Sequence, residues 1–300
     1  MAERGGDDMM VRAMPVVFVL LWSTGFIGAK FGLDYAEPFT FLTLRFLGTL
    51  LVLLLIIQLL GATWPRSPLL WLHVAVSGSL VQAAYLGGVF YSIYSGMPAG
   101  LAALLVGLHP LLTALIARPW LGERISPVRW LGIGLGLVGI TLVLTDKLDA
   151  DAAVLFAGFG LEAVAMAFVA LFAISVGTLY QKRFCGGIDL LTGTFIQFLA
   201  ASALLGVAAL LLETREVDWT PAFILTLGWL ILGLSVAAIL LLMALIRRGE
   251  ASRVASLFYL VPPVTALEAW LLFGERLGVG AVIGVGISVL GVALAVRARS

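Results

Sequence analysis

The chain has 300 residues, 62% of them hydrophobic and 12% charged, with a mean hydropathy of +1.12, where a soluble domain carries roughly 45–50% apolar and about 25% charged residues. Eighteen basic and seventeen acidic side chains cannot cover a water-facing surface of this size, so most of the molecule must face lipid or other apolar helices. The net charge of +1 offers no footprint for nucleic acid, and the single cysteine, Cys185, excludes an internal disulfide and a cysteine-based metal site.

A membrane span takes roughly 20 apolar residues and a short connection adds about 10, so the length accommodates about ten helices and no soluble domain. In chain order the apolar runs predict spans near Met14 to Leu33, Phe39 to Leu60, Leu69 to Tyr94, Ala99 to Ala117 and Val128 to Thr145. After the acidic stretch Asp146 to Asp151, five more lie near Leu155 to Leu179, Leu190 to Leu212, Pro221 to Ile246, Ala251 to Phe273 and Val279 to Val296. The fold class expected is an all-α integral membrane protein. Arg4 and Arg12 before the first run resemble a signal peptide, but Asp7, Asp8 and the length of the run argue for a retained helix. With the N-terminus inside, 13 basic residues fall on the inner side and 4 on the outer, so both termini are expected in the cytoplasm.

Sliding the sequence against itself gives a constant offset of 152. Residues 99–142 and 251–294 share 16 identities in 44 positions without a gap, and the matches include Pro110 with Pro262 and Gly122-Glu123-Arg124 with Gly274-Glu275-Arg276. The same offset sets Ser23, Gly25 and Lys30 on Ser175, Gly177 and Lys182. Five spans per half is an odd number, so the second half is expected to enter the membrane from the opposite side. Inverted repeats of this kind build secondary transporters.

The first-span motif Leu21-Trp22-Ser23-Thr24-Gly25-Phe26, the stretch from Glu37-Pro38 to Leu44-Arg45-Phe46, and the doubled Pro…Gly-Glu-Arg pattern resemble the drug/metabolite transporter superfamily, EamA type. The resemblance runs from about Val16 to Val296. It implies ten helices in a five-plus-five inverted repeat, over residues 13–145 and 154–297, and export of small metabolites, often amino acids. Among its branches the chain is most similar to amino-acid exporters of bacterial inner membranes.

Within the spans, charge is scarce. All eight aspartates lie in tails or loops, whereas Arg45 in the second span and Glu268 in the ninth sit at similar depth. An intramembrane charge is a functional candidate, here as a charge pair or as a carboxylate that protonates during transport; a structural ion pair, or snorkelling to the interface, is the alternative. His109 lies near the bilayer midplane, where transporters place substrates, and either contacts a solute or bonds a neighbouring backbone oxygen. Pro110, Pro262 and Pro263 interrupt helices and free carbonyls, as hinges beside a cavity or as kinks that only shape packing. Trp22, Ser23, Thr24, Gln82, Tyr85, Ser175, Tyr180 and Tyr259 are candidates to line an aromatic, hydroxyl-bearing pocket, against ordinary packing for each. The Gly134-x-Gly136-x-x-Gly139 run matches a dinucleotide fingerprint but lies in an apolar span with no strand before it, and reads as helix-contact glycine together with Gly132, Gly280 and Gly284. Gly122 and Gly274 read as helix C-caps.

The reading is a secondary transporter working by alternating access, with a small-molecule solute and the lipid bilayer as partners, with no nucleic acid, metal or cofactor, and functional as a monomer. Proton coupling stays open, since it needs a titrating group such as Glu268 or His109 and facilitation needs neither. The alternatives are a broad-specificity drug or lipophilic-cation exporter and, more distantly, an intramembrane enzyme or a non-transporting membrane subunit.

Overall fold

The computed structural model describes residues 2–121, 126–146, 159–241, 258–275 and 278–297. Its helices are α1 (Ala2–Gly32), α2 (Pro38–Leu60), α3 (Pro68–Tyr94), α4 (Ala99–Gly107), α5 (His109–Leu121), α6 (Pro127–Asp146), α7 (Leu161–Phe184), α8 (Leu190–Leu212), α9 (Pro221–Leu241), α10 (Val261–Phe273) and α11 (Val279–Arg297). An isolated bridge between Ala36 and Val217 is the only extended pairing among the described residues. Seven stretches are long and apolar enough to cross a membrane, and the shorter apolar helices Trp130–Gly139, Val261–Phe273 and Val282–Leu294 accompany them. Leu51, Leu59 and Leu211 are 73%, 75% and 77% exposed, an arrangement at home in hydrocarbon, while Phe41, Phe46, Phe90 and Phe223 fill the interior.

Local chemistry sets the helix starts. Prolines stand in the first turn of α2, α3 and α9, where a missing N–H costs nothing. Ser67 accepts from Leu70 N at 3.4 Å, Thr220 from Phe223 N at 3.2 Å, and Asp189 from Leu191 N at 2.9 Å. At the start of α2 the cap comes from elsewhere: Glu213, just past α8, accepts from Phe39 N, Thr40 N and Thr40 Oγ1, each at 2.7 Å. Glu37 returns the favour by accepting from Thr214 N and Oγ1 and from Arg215 N at 2.7, 2.8 and 3.0 Å. These bonds clamp the α1–α2 and α8–α9 connections together.

The 152-residue offset recurs in the helices themselves. Pro38 and Leu190, His109 and Val261, and Pro127 and Val279 are paired starts. α3 and α9 each contain a wider-wound π stretch, Ser79–Ala84 and Leu230–Ala237, which overlap under the same shift. The packing follows suit: α1 lies on α10 as α5 lies on α7, α3 on α8 as α9 lies on α2, and α6 runs along α11.

The prolines act differently from the kinks expected. The helix ends at Gly107, Leu108 stands between, and Pro110 is the second residue of α5; Pro262 and Pro263 are the second and third of α10. Pro110 follows a one-residue interruption, and Pro262 and Pro263 come directly after the tight turn Phe258–Leu260, so each proline sits in a first turn, where a residue without an N–H fits. The two broken regions do meet: a Cβ on Gly107 would come within 2.7 Å of Pro262 Cγ. The first Gly122-Glu123-Arg124 copy, Arg276, and the side chain of Tyr259 lie outside the described residues.

Candidate functional site

Arg45 is 3% exposed, in the third turn of α2, facing α9. Its Nε and Nη2 donate to Ser235 Oγ at 3.2 and 3.0 Å, and its Nη1 is buried with no partner. Tyr85 is the residue after the π stretch of α3, on a helix that packs against α2. Arg45 therefore reaches into the wider-wound stretch of α9, and α2 also packs on Tyr85–Tyr94, which follows the one in α3. Such bulges are frequent at functional sites because the extra residue per turn displaces side chains from regular packing.

Glu268 of α10 does not pair with Arg45. Its Oε1 lies 2.8 Å from Ser23 Oγ on α1, and its Oε2 is buried without a partner. Ser23 Oγ also lies 2.9 Å from Leu20 O, and a hydroxyl has one proton for the two acceptors. A protonated Glu268 would donate to Ser23 and leave the serine proton for Leu20; an ionised one would compete with Leu20 for it. The site thus offers one arrangement for each protonation state.

His109 takes the backbone option. Pro110 lacks the N–H that would meet Val106 O, and His109 Nδ1 lies 3.2 Å from that same carbonyl, so the ring donates there. Ser175, fully buried, donates toward Leu171 O at 2.7 Å and lies 3.3 Å from His109 O, so it seals the break from the α7 side.

The aromatic candidates separate into groups. Trp22 packs edge-on to Phe258 at 5.0 Å and beside Phe18 at 5.3 Å, which ties α1 to the turn before α10. Thr24 donates to Leu21 O at 2.7 Å and accepts from Trp229 Nε1 at 3.0 Å, on a face where Trp229 is exposed. Tyr180 bonds His73 at 2.8 Å and leans on Phe184, away from the Arg45 and Glu268 groups. Gln82 sits half-buried within the π stretch of α3.

Two features escaped sequence reasoning. Ser235 is a lone serine in the apolar α9 with no motif to single it out. The other is an ion pair between Lys30, in the last turn of α1, and Glu275, whose Oε1 also lies 3.4 Å from Ala99 N at the start of α4. Gly274 ends α10 in the left-handed region at φ 66°, the expected C-cap, and so turns Glu275 toward α1. The signal was present in the Gly-Glu-Arg motif and in Lys30, but nothing in the sequence paired them.

Long apolar helices, matched wide turns and buried polar groups inside an apolar bundle are those of a multi-pass helical membrane protein. The EamA-like transporter family model matches residues 13–145 and again 161–297, and the chain belongs to that family. It is similar to an uncharacterized transporter of Bacillus subtilis, YvbV, at 25% identity over 92% of this chain and 88% of that one. It is also similar to a probable amino-acid metabolite efflux pump of Escherichia coli, at 28% identity over 88% of this chain and 87% of that protein, and to the uncharacterized inner membrane transporter YedA of the same organism at 27%. A solved crystal structure superposes with a TM-score of 0.65 at 22% identity, covering 94% of each chain, and shares the fold.

Proposed function

We propose that this EamA-family transporter is a secondary exporter of small metabolites, amino acids foremost, that works by alternating access in a bacterial inner membrane. In this reading ten spans form two inverted five-helix repeats, over 13–145 and 154–297, both termini are cytoplasmic, and one chain encloses the path. The observation that carries it is the recurrence, 152 residues apart, of a helix start at His109 and Val261 and of a π stretch in α3 and α9, with Arg45 bonded to Ser235 of the second π stretch and Glu268 in the helix that starts at Val261. Matched discontinuities let two halves of one sequence exchange conformations, so that a site between them opens to either side in turn. The family match in each half supports the transporter reading, and the likeness to a probable amino-acid metabolite efflux pump supports the substrate class.

Ser23 and Glu268 form the candidate coupling group. Gln82, Tyr85 and Arg45 form the candidate solute-facing set. Trp22, Thr24, His109, Ser175, Tyr180 and Tyr259 complete the pocket candidates, and Pro110, Pro262 and Pro263 mark the ends about which the broken helices turn. The lysine and carboxylate of Lys30 and Glu275 close the end that the basic-residue count places outside.

The test is reconstitution in liposomes with labelled amino acids, sugars and lipophilic cations, measuring counterflow with and without a proton gradient. Saturable, protein-dependent exchange of amino acids is expected. Exchange of lipophilic cations alone would replace the substrate class, and no exchange of any solute would remove the transporter mechanism itself.

A further inference from the structure

The guanidinium of Arg45 has more donors than its surroundings can answer. It carries five N–H groups, and the acceptor found for it is one neutral oxygen, Ser235 Oγ, which takes both Nε and Nη2. Nη1 is buried and unpartnered, and the residue is 3% exposed. Glu268, the carboxylate of α10, is committed to Ser23 on another helix pair. A buried cation without a counter-charge is among the costliest arrangements a protein interior can hold, and it persists where something brings the counter-charge.

Helix bridging does not explain the charge. Gln197 lies 152 residues after Arg45 and performs the same bridge in the other half: its amide reaches from α8 to Ser77 Oγ of α3 at 3.5 Å, as Arg45 reaches from α2 to Ser235 of α9. A neutral amide suffices there. The positive charge at position 45 is therefore surplus to the bridge, and it occurs in one half alone.

We propose that Arg45 is the receptor for the carboxylate of the transported solute, which docks on the unpartnered Nη1 of its guanidinium. The planar fork of a guanidinium presents parallel N–H donors that match a carboxylate's two oxygens, a geometry that an ammonium or an amide does not reproduce. The solute anion neutralises the buried cation as it binds, so the loaded site holds no net charge in the span. Because Gln197 occupies the mate position, only one half carries this receptor, and the solute is held in one orientation relative to the two halves. The assignment rests on the transporter reading above and names the chemical group that its site recognises.

The experiment compares acids with their neutral isosteres on reconstituted protein: L-amino acids against the matching amino-acid amides and decarboxylated amines, as competitors of labelled amino-acid counterflow. A second measurement, the shift in unfolding temperature of detergent-solubilised protein on adding each compound, reads binding without transport. Wild type is expected to prefer the acids by roughly tenfold or more, and only the acids should raise its unfolding temperature. Arg45→Gln, which copies the residue native to the mate position, should remain folded and accept acid and amide within about twofold of each other. A wild-type protein that exchanges amides and amines as readily as acids keeps the transporter reading and loses the Arg45 assignment. The same assignment is overturned if Arg45→Gln retains the acid preference. Should the variant fail to fold, the wild-type comparison decides alone. A protein that exchanges nothing and is stabilised by no carboxylate loses both readings.

Discussion

The seam between α6 and α11 permits a sharp test of how the two halves are held. A Cβ placed on Gly139 would sit 2.2 Å from Ser288 Oγ, 2.5 Å from Gly284 O and 2.6 Å from Ser288 N; on Gly291, 152 residues later, it would sit 2.6 Å from Gly132 O and 2.7 Å from Gly136 N. Ordinary contact begins at about 3.4 Å, so against backbone atoms at 2.5–2.7 Å the helices must separate by about 0.7–0.9 Å, and backbone cannot rotate aside as a side chain would. In a bilayer, where close van der Waals packing replaces the hydrophobic drive between helices, that separation is expected to cost about 1–3 kcal/mol for Gly139→Ala and a similar amount for Gly291→Ala. Gly134, from the same glycine run, is exposed and has open space at its Cβ. Gly134→Ala should therefore be neutral or stabilising by up to about 1 kcal/mol, since alanine is the better helix former. The assay is thermal unfolding of the three purified variants in one detergent, followed by counterflow in liposomes. Gly139→Ala and Gly291→Ala should unfold at lower temperature than wild type and Gly134→Ala should not. The surviving seam variants should keep wild-type apparent affinity, because neither glycine adjoins Arg45 or Glu268. Equal stability of Gly139→Ala and Gly134→Ala would refute the packing argument.

Two further outcomes follow from individual side chains. Glu268→Gln preserves an oxygen for Ser23 but removes the exchangeable proton; it should sustain counterflow while losing any acceleration by an imposed pH gradient, and gradient-driven accumulation at the wild-type rate would take Glu268 out of coupling. Cys185, just past the end of α7 and packed with Val74 and Ile196, has its thiol pushed up by burial. A raised value leaves less thiolate at neutral pH, so maleimide labelling should be slow at pH 7 and quicken as pH rises through the thiol's titration; rapid labelling at pH 7, read by mass spectrometry, would contradict this packing.

Sequence reasoning reached several helix positions because apolar length and proline punctuation are local signals, although the helix expected to end at Leu179 runs from Leu161 to Phe184. The expected start at Leu190 and end at Leu60 are those observed, and Pro38 and Pro68 open their helices one residue before the expected starts. It also reached the offset of 152, which composition cannot hide. What it could not reach depends on side-chain direction. Arg45 and Glu268 are expected at similar depth from their places in the spans, yet α2 turns the arginine to α9 and α10 turns the carboxylate to α1, so the two do not meet. The π stretches carry no sequence mark, being a response to packing in apolar runs such as Ser79–Ala84. His109 was undecided from sequence because its partner is a backbone carbonyl, that of Val106. Of the dinucleotide-like glycines, Gly139 proved to be a close helix contact and Gly134 did not, a distinction that only the azimuth of α6 against α11 makes.

The central claim is that the two halves open a shared site to each side in turn, and the Lys30–Glu275 pair offers the most direct handle on it. In a background with Cys185 replaced by serine, cysteines at positions 30 and 275 can be joined by a reversible bis-methanethiosulfonate linker that holds α1 to the end of α10. Counterflow should stop when the linker is in place and return when dithiothreitol removes it, while solute binding from the opposite side persists. Exchange that continues at full rate through the cross-linked protein would contradict alternating access at this end of the bundle.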